Sequence, residues 1–192
     1  RAIVEDFARE KNRVSPNSVR IVLQSKALGK GAAVREGFKF ITGDIVMIQD
    51  GDLEYNVADY PSLIQPILDG HTDFILGSRH LSCGSWKIRQ FENRKWRAWC
   101  LNLGGLFFHG LFNWVYGVNL SDPTTMFKVF RKKCLEGIEF RANRFDFDYE
   151  LLGKLIRSGY VPLEVPVTYI SRDFDQGKKI NVLRDPWTWV WA

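Results

Sequence analysis

The chain has 192 residues, of which 45% are hydrophobic and 26% charged, with a formal net charge of +5. That is enough apolar material for one α/β domain with a sizeable core, and it excludes an extended disordered chain. The cationic excess favours anionic partners, whether phosphates, acidic lipid or nucleic acid, without choosing among them.

Residues 2–10 predict an amphipathic helix with Ile3, Val4, Phe7 and Ala8 on one face. Charged residues interrupt the opening positions, so no secretory signal peptide is expected there. Ser15, Pro16 and Asn17 mark a turn, and Val19, Ile21, Val22 and Leu23 predict a short strand. Gly29-Lys30-Gly31 then introduces a helix carrying Ala32, Ala33, Val34, Phe38 and Phe40. Thr42-Gly43-Asp44 breaks it, and residues 45–48 form an uninterrupted apolar run expected in a strand buried on both faces. Residues 60–68 predict a helix with Pro61 in its first turn and Gly70 beyond its end, and residues 74–76 the next strand. This alternation predicts a mostly parallel sheet covered by helices, with ligands at the carboxyl ends of its strands. Asp50, Asp52 and Arg79 all lie just past predicted strand ends.

Residues 98–121 contain no Asp, Glu, Lys or Arg and are rich in Leu, Phe and Trp. The length would suffice to span a bilayer, but Asn102, His109, Asn113 and four glycines dilute the run, so a buried or interface-lying helix is expected. Residues 126–130 predict a strand, residues 149–157 a helix closed by Gly159, and residues 161–169 an extended run broken by Pro162 and Pro166. Trp187, Trp189 and Trp191 suit either a bilayer interface or a terminal helix packing its rings on the domain.

Cys83, Cys100 and Cys134 are scattered, odd in number and without a CxxC pair, which supports neither a disulfide framework nor a zinc knuckle and fits a reducing, cytosol-facing location. His71, His80 and His109 lack partners at metal-ligand spacing and read as surface or packing residues. The strongest chemical signal is Asp50-Gly51-Asp52-Leu53-Glu54, where two carboxylates one residue apart at a strand terminus can converge on a hard cation such as Mg2+ or Mn2+.

The segments GKGAAVREGF, GDIVMIQDGDLEY, ILGSR, SDPTTMFKVFR, FDFDYELLGKLIRSGY and EVPVTYISRDFDQGKKI, in this order, resemble family 2 glycosyltransferases, in the branch of dolichyl- and polyprenyl-phosphate sugar synthases. The resemblance implies a GT-A fold, the Rossmann-like nucleotide-diphospho-sugar transferase architecture. It also implies two strands ending in Pro-x-Tyr-Asn-Glu and Asp-Asp-Gly-Ser segments that bind the base and ribose. Neither segment occurs here, so an N-terminally incomplete sheet lacking the base pocket is expected. The implied organisation is a partial catalytic domain over residues 1–180, with a donor and metal half to residue 80 and an acceptor half from residue 81, followed by a Trp-rich interfacial segment over residues 181–192.

Residue by residue, the resemblance gives Asp50 and Asp52 the metal and diphosphate, with Glu54 where some members place a further metal ligand, often Gln. Lys30 and Gly31 fall where the family approaches the nucleotide. Arg79 resembles an arginine that meets the acceptor phosphate, and Arg94, in a basic cluster with Arg89, Lys95 and Arg97, is the expected second phosphate ligand. Arg172, Lys178 and Lys179 resemble a loop closing over the diphosphate. For Asp146, Asp148 and Glu150 two roles compete: a general base if the acceptor is a hydroxyl, or a helix N-cap if it is a phosphate, with the cap preferred.

The function implied is inverting transfer of a hexose from a GDP-mannose- or UDP-glucose-type donor to a polyprenyl phosphate. The expected place is the cytoplasmic face of a membrane, peripheral, or integral if membrane helices follow Ala192. The alternatives are a transferase acting on a saccharide hydroxyl and a non-catalytic membrane-surface module. Nucleic acid is not an expected partner, because no helix-turn-helix, zinc-finger or aromatic RNA-binding signature accompanies the charge.

Overall fold

A computed structural model describes residues 2–16, 18–84 and 95–171. The opening helix α1 (Ala2–Val14) leaves Ile3 and Phe7 largely exposed and buries Ala8. Helix α2 (Lys30–Phe38) follows Gly29, whose φ of 109° only glycine adopts readily. Strand β1 (Ile45–Ile48), helix α3 (Tyr60–Leu68) and strand β2 (Phe74–Ser78) follow as the hydrophobic runs predict.

The second half supplies a short helix α4 (Arg79–Cys83), a long helix α5 (Lys95–Tyr116), strand β3 (Lys128–Arg131), helix α6 (Phe147–Arg157) and strand β4 (Leu163–Pro166). These make one open sheet in the order β1-β3-β2-β4, so strands from both halves of the sequence interleave. Strand β3 is antiparallel to β1 and to β2, whereas β4 is parallel to β2. Three strands therefore share one direction, and β3 runs against them. The carboxyl ends of β1, β2 and β4 and the start of β3 all open on the same edge.

The core is built on β2 and β3, whose Phe74, Ile75, Leu76, Val129 and Phe130 are fully buried, with Leu63 and Ile67 of α3 and Leu151, Leu152 and Leu155 of α6 packed against them. Two close approaches set the helices. A Cβ on Gly31 would lie 2.5 Å from the Ala142 carbonyl oxygen and 2.6 Å from Phe147 Cβ, so glycine lets α2 lean on the start of α6. Gly153 faces the Tyr116 ring, which admits α6 against α5.

Two expectations are corrected. Strand β1 alternates between partly buried and buried residues, because one face of an edge strand lacks the cover that β2 receives. Residues 19–23 form no strand. Their β-rich composition meets no neighbouring strand among the described residues, Leu23 is 55% exposed, and Val19 is held instead by the Asn12 side chain.

Helix α5 turns Ala98, Asn102, His109 and Phe112 inward and leaves Trp96, Trp99, Phe107 and Trp114 more than half exposed. No helix among the described residues is long and apolar enough to cross a membrane.

Candidate active site

The acidic turn follows β1 directly. Asp50 and Asp52 are half-buried, and Asp52 Oδ1 accepts the Glu54 amide at 3.2 Å, closing the turn. Between them and Glu54, Leu53 has a φ of 60° and is almost fully exposed. A non-glycine residue in that region stores backbone strain that the surrounding turn must impose.

Behind the turn lies a row of charges. Lys30, first residue of α2, donates to Asp148 Oδ2 at 2.6 Å and also contacts Met126 Sδ. Asp148 Oδ1 accepts from Lys128 at 3.0 Å, and Lys128 also bonds the Thr125 carbonyl oxygen. Lys128 is wholly buried in β3. Burial alone would raise the Asp148 carboxyl, but the ammonium groups of Lys128 and Lys30 hold it below the usual carboxylate range. Asp50 shifts the other way: burial raises it, Lys30 opposes, and the carboxylates of Asp148 and Asp52 add to the rise.

On the same edge, Ser78 caps α4 and Arg79 opens it, and the Arg79 guanidinium is turned inward. It meets Asp122 through Nε at 2.6 Å and Nη2 at 2.7 Å, and Thr124 through Nη2 at 3.1 Å. Burial opposes ionisation of Asp122, and Arg79 overcomes it, holding the carboxyl well below its usual range. Glu164 of β4 fixes the loop carrying Asp122 by accepting the amides of Ser121 and Asp122 and the Ser121 hydroxyl, at 2.8 to 3.0 Å. Tyr169 links the two sides: its ring lies 5.2 Å from Arg79, and its hydroxyl donates to Glu54 Oε2 at 3.0 Å.

The structure thus brings Asp50, Asp52 and Lys30 together and sets Arg79 on the same edge. Arg79 does not pair with the nearby Asp73. Asp73 is taken by Arg131 and Lys133, and the Arg79 partner is Asp122, 43 residues away. Gly31 is buried against residues 142 and 147, where only a residue without a Cβ fits. Glu54, in the same turn as Asp50 and Asp52, accepts from the Tyr169 hydroxyl through Oε2. Arg89, Arg94, Arg172, Lys178, Lys179 and the Trp-rich terminus lie outside the described residues.

The preferred cap role for Asp146 or Asp148 is also corrected. Asp146 stands at the N-cap of α6 but makes no side-chain cap bond, accepting the Arg144 amide instead, and Asp148 is committed to two lysines. Glu150 accepts the amides of Arg141 and Ala142 and the Lys154 ammonium.

His80 and His109, separated in sequence, meet in space, and with Asp122 they are the described group whose ligand atoms lie within 4.8 Å of one another. Both Asp122 oxygens already receive Arg79, so a cation there would stand beside a buried guanidinium. Asp50 and Asp52 suit a hard divalent cation better. They offer oxygen donors, are half-buried, and crowd negative charge that a cation would offset; Mg2+ commonly binds through one or two carboxylates completed by substrate phosphate and water.

Residues 1–138 match the family model described as glycosyl transferase family 2. The chain belongs to that family. Its α/β sheet covered by helices agrees with the GT-A fold expected from the family motifs. Over 160 residues it is 28% identical to the dolichol-phosphate mannosyltransferase of Pyrococcus furiosus, covering 83% of this chain and 43% of that protein. It is 24% identical to the glycosyltransferase AglJ of Haloferax volcanii (86% and 51%) and 25% identical to the polyprenol monophosphomannose synthase of Mycolicibacterium smegmatis (90% and 64%). The chain therefore spans about half the length of these curated relatives.

Proposed function

We propose that this family 2 glycosyltransferase moves a hexose from a GDP- or UDP-sugar to a polyprenyl phosphate at the cytoplasmic face of a membrane. The observation that carries the choice of acceptor is the state of the three carboxylates at the start of α6. An inverting transfer to a sugar hydroxyl needs a general base with a free oxygen. Both oxygens of Asp148 accept from lysines and those of Glu150 accept backbone amides and Lys154, which disfavours either as the base; Asp146, with Oδ1 alone accepting a backbone amide, is the candidate base left to the hydroxyl alternative. A phosphate acceptor needs no base, because its oxyanion is a nucleophile at neutral pH.

In this reading Asp50 and Asp52 hold Mg2+ or Mn2+ and, through it, the donor diphosphate, with Lys30 beside them. The cation would supply positive charge where the departing nucleoside diphosphate gains negative charge. Arg79 serves the acceptor phosphate, sharing its fork between that phosphate and Asp122, and Arg94 is the proposed second ligand. Ile170 donates to the Glu54 carbonyl oxygen at 2.8 Å, which anchors the chain beside the acidic turn two residues before Arg172. That anchor supports a role for Arg172, Lys178 and Lys179 over the diphosphate. The aromatic outer face of α5 supports docking on a membrane surface, where Trp rings keep one edge wet.

The test pairs binding with transfer. Calorimetric titration with GDP and with UDP, each with and without Mn2+, should show metal-dependent binding that Asp52→Ala abolishes. Transfer assays should label polyprenyl phosphate and leave saccharide acceptors unlabelled, with Asp50→Ala and Asp52→Ala each slowing turnover by about a hundredfold or more. Full turnover in either variant would remove the metal role. Labelling of a sugar hydroxyl, lost on changing Asp146 with nucleotide binding intact, would favour the polysaccharide alternative.

A further inference from the structure

We propose that Lys128 and Asp148 are positioning residues for the donor diphosphate, a relay that holds the Lys30 ammonium behind Asp50 and keeps its positive charge from being cancelled. The inference rests on the donor side of the proposed function and deepens it.

The three groups form a line from the interior toward the acidic turn. The Lys128 side chain is 0% exposed, Asp148 9% and Lys30 12%. Lys128 sits in a run from Met126 to Phe130 that is otherwise apolar and buried, between two other strands of the sheet. A hydrophobic side chain would fit such a place without the several kcal/mol that removing an ammonium from water costs. Stability alone gives little reason for lysine there, since buried ion pairs can often be replaced by apolar residues without loss.

Charge accounting supplies the reason. Lys30 and Asp148 alone form a neutral pair, which offers little attraction to a diphosphate. Burial pulls the Lys128 ammonium down and Asp148 opposes that pull; with both lysines protonated on opposite oxygens of one carboxylate, the group retains one unit of positive charge. The end facing Asp50 is Lys30, a rotatable point charge suited to phosphate oxygens. Lys128 cannot reach the ligand itself because it is enclosed by the sheet. Gly31 completes the arrangement by letting the N-terminus of α2 approach the start of α6.

The test is calorimetric titration of the 192-residue chain with Mn2+·GDP, Mn2+·UDP and Mn2+·pyrophosphate. A Lys128→Met/Asp148→Leu double variant removes the pair while preserving neutrality and should fold, as thermal melting would show. It should bind the diphosphate probes at least tenfold more weakly. Lys128→Arg should restore most of the affinity lost in Lys128→Met. Asp148→Asn adds net positive charge yet should also weaken binding, opposite to what bulk charge predicts. If the double variant folds and binds like the unaltered chain, the relay is wrong while the donor site stands. If the unaltered chain does not bind even Mn2+·pyrophosphate, or Asp50→Ala binds it equally well, the donor reading fails and the relay with it.

Discussion

Two buried ion networks stand on one edge of the sheet and are built differently. On the proposed acceptor side, the planar fork of Arg79 meets both oxygens of Asp122, and Glu164 fixes the loop behind it. That geometry is closed and directional, suited to holding an orientation. On the proposed donor side, two lysines share Asp148, and the line ends at the half-buried Asp50. Lysine ammonium groups are compact and rotatable, so this network can hand charge to a ligand without losing its inner anchor. The difference suggests that the acceptor side stores structure and the donor side stores potential.

The largest expected effect breaks the closed network. Asp122→Ala leaves a buried guanidinium without its carboxylate and should cost about 3–5 kcal/mol, read as a fall in the urea midpoint. Acid should act in the same direction. Asp122, Asp148 and Glu150 all titrate below their usual values in the folded chain. Their stabilisation is complete above the unfolded carboxylate range near about pH 4 and is lost as pH falls through the lower folded values. Melting temperature should therefore drop steeply below about pH 4, and Asp122→Asn should flatten part of that drop.

Next in size are changes to the donor side. Gly31→Ala would place a methyl against the Ala142 carbonyl oxygen and Phe147 Cβ, and should cost about 1–3 kcal/mol by overpacking. Because the strain falls between α2 and α6, it should also part Lys30 from Asp148 and weaken nucleotide binding, which calorimetry can follow. Lys128→Met should cost about 1–3 kcal/mol, less than Asp122→Ala, since Asp148 keeps Lys30. A larger loss for Lys128→Met than for Asp122→Ala would reverse the assignment of structure to one side and potential to the other.

Much of the frame was legible in the sequence. The runs at residues 45–48 and 74–76 gave strands because apolar length between turn residues is a local signal. Residues 19–23 are also rich in β-branched and apolar residues, though interrupted by Arg20, and form none, since a strand also needs a neighbour, which is not local. The reversed direction of β3 depends on how the chain returns after α5, and no residue pattern encodes that. Asp50 and Asp52 were readable because they adjoin a strand end. Asp122 was missed as the partner of Arg79, and His80 and His109 as neighbours, because those contacts join separate elements. Lys128 did leave a trace: a single cation inside the buried stretch Met126–Phe130 signals a hidden counter-charge.

The smallest expected effect lies at Leu53. Its left-handed backbone costs a leucine roughly 1 kcal/mol that glycine would not incur, and its almost fully exposed side chain contributes little burial in return. Glycine gives some of this back through its freer unfolded chain, so Leu53→Gly should raise stability by only about 0.5 kcal/mol. Its value is in what else it reports. If the strained turn presents Asp52, relaxing it should loosen Mn2+-dependent nucleotide binding even as the melting temperature rises slightly. If binding holds while stability rises, the turn is strained for reasons unrelated to the donor, and the row of lysines behind it bears more of the site's electrostatics.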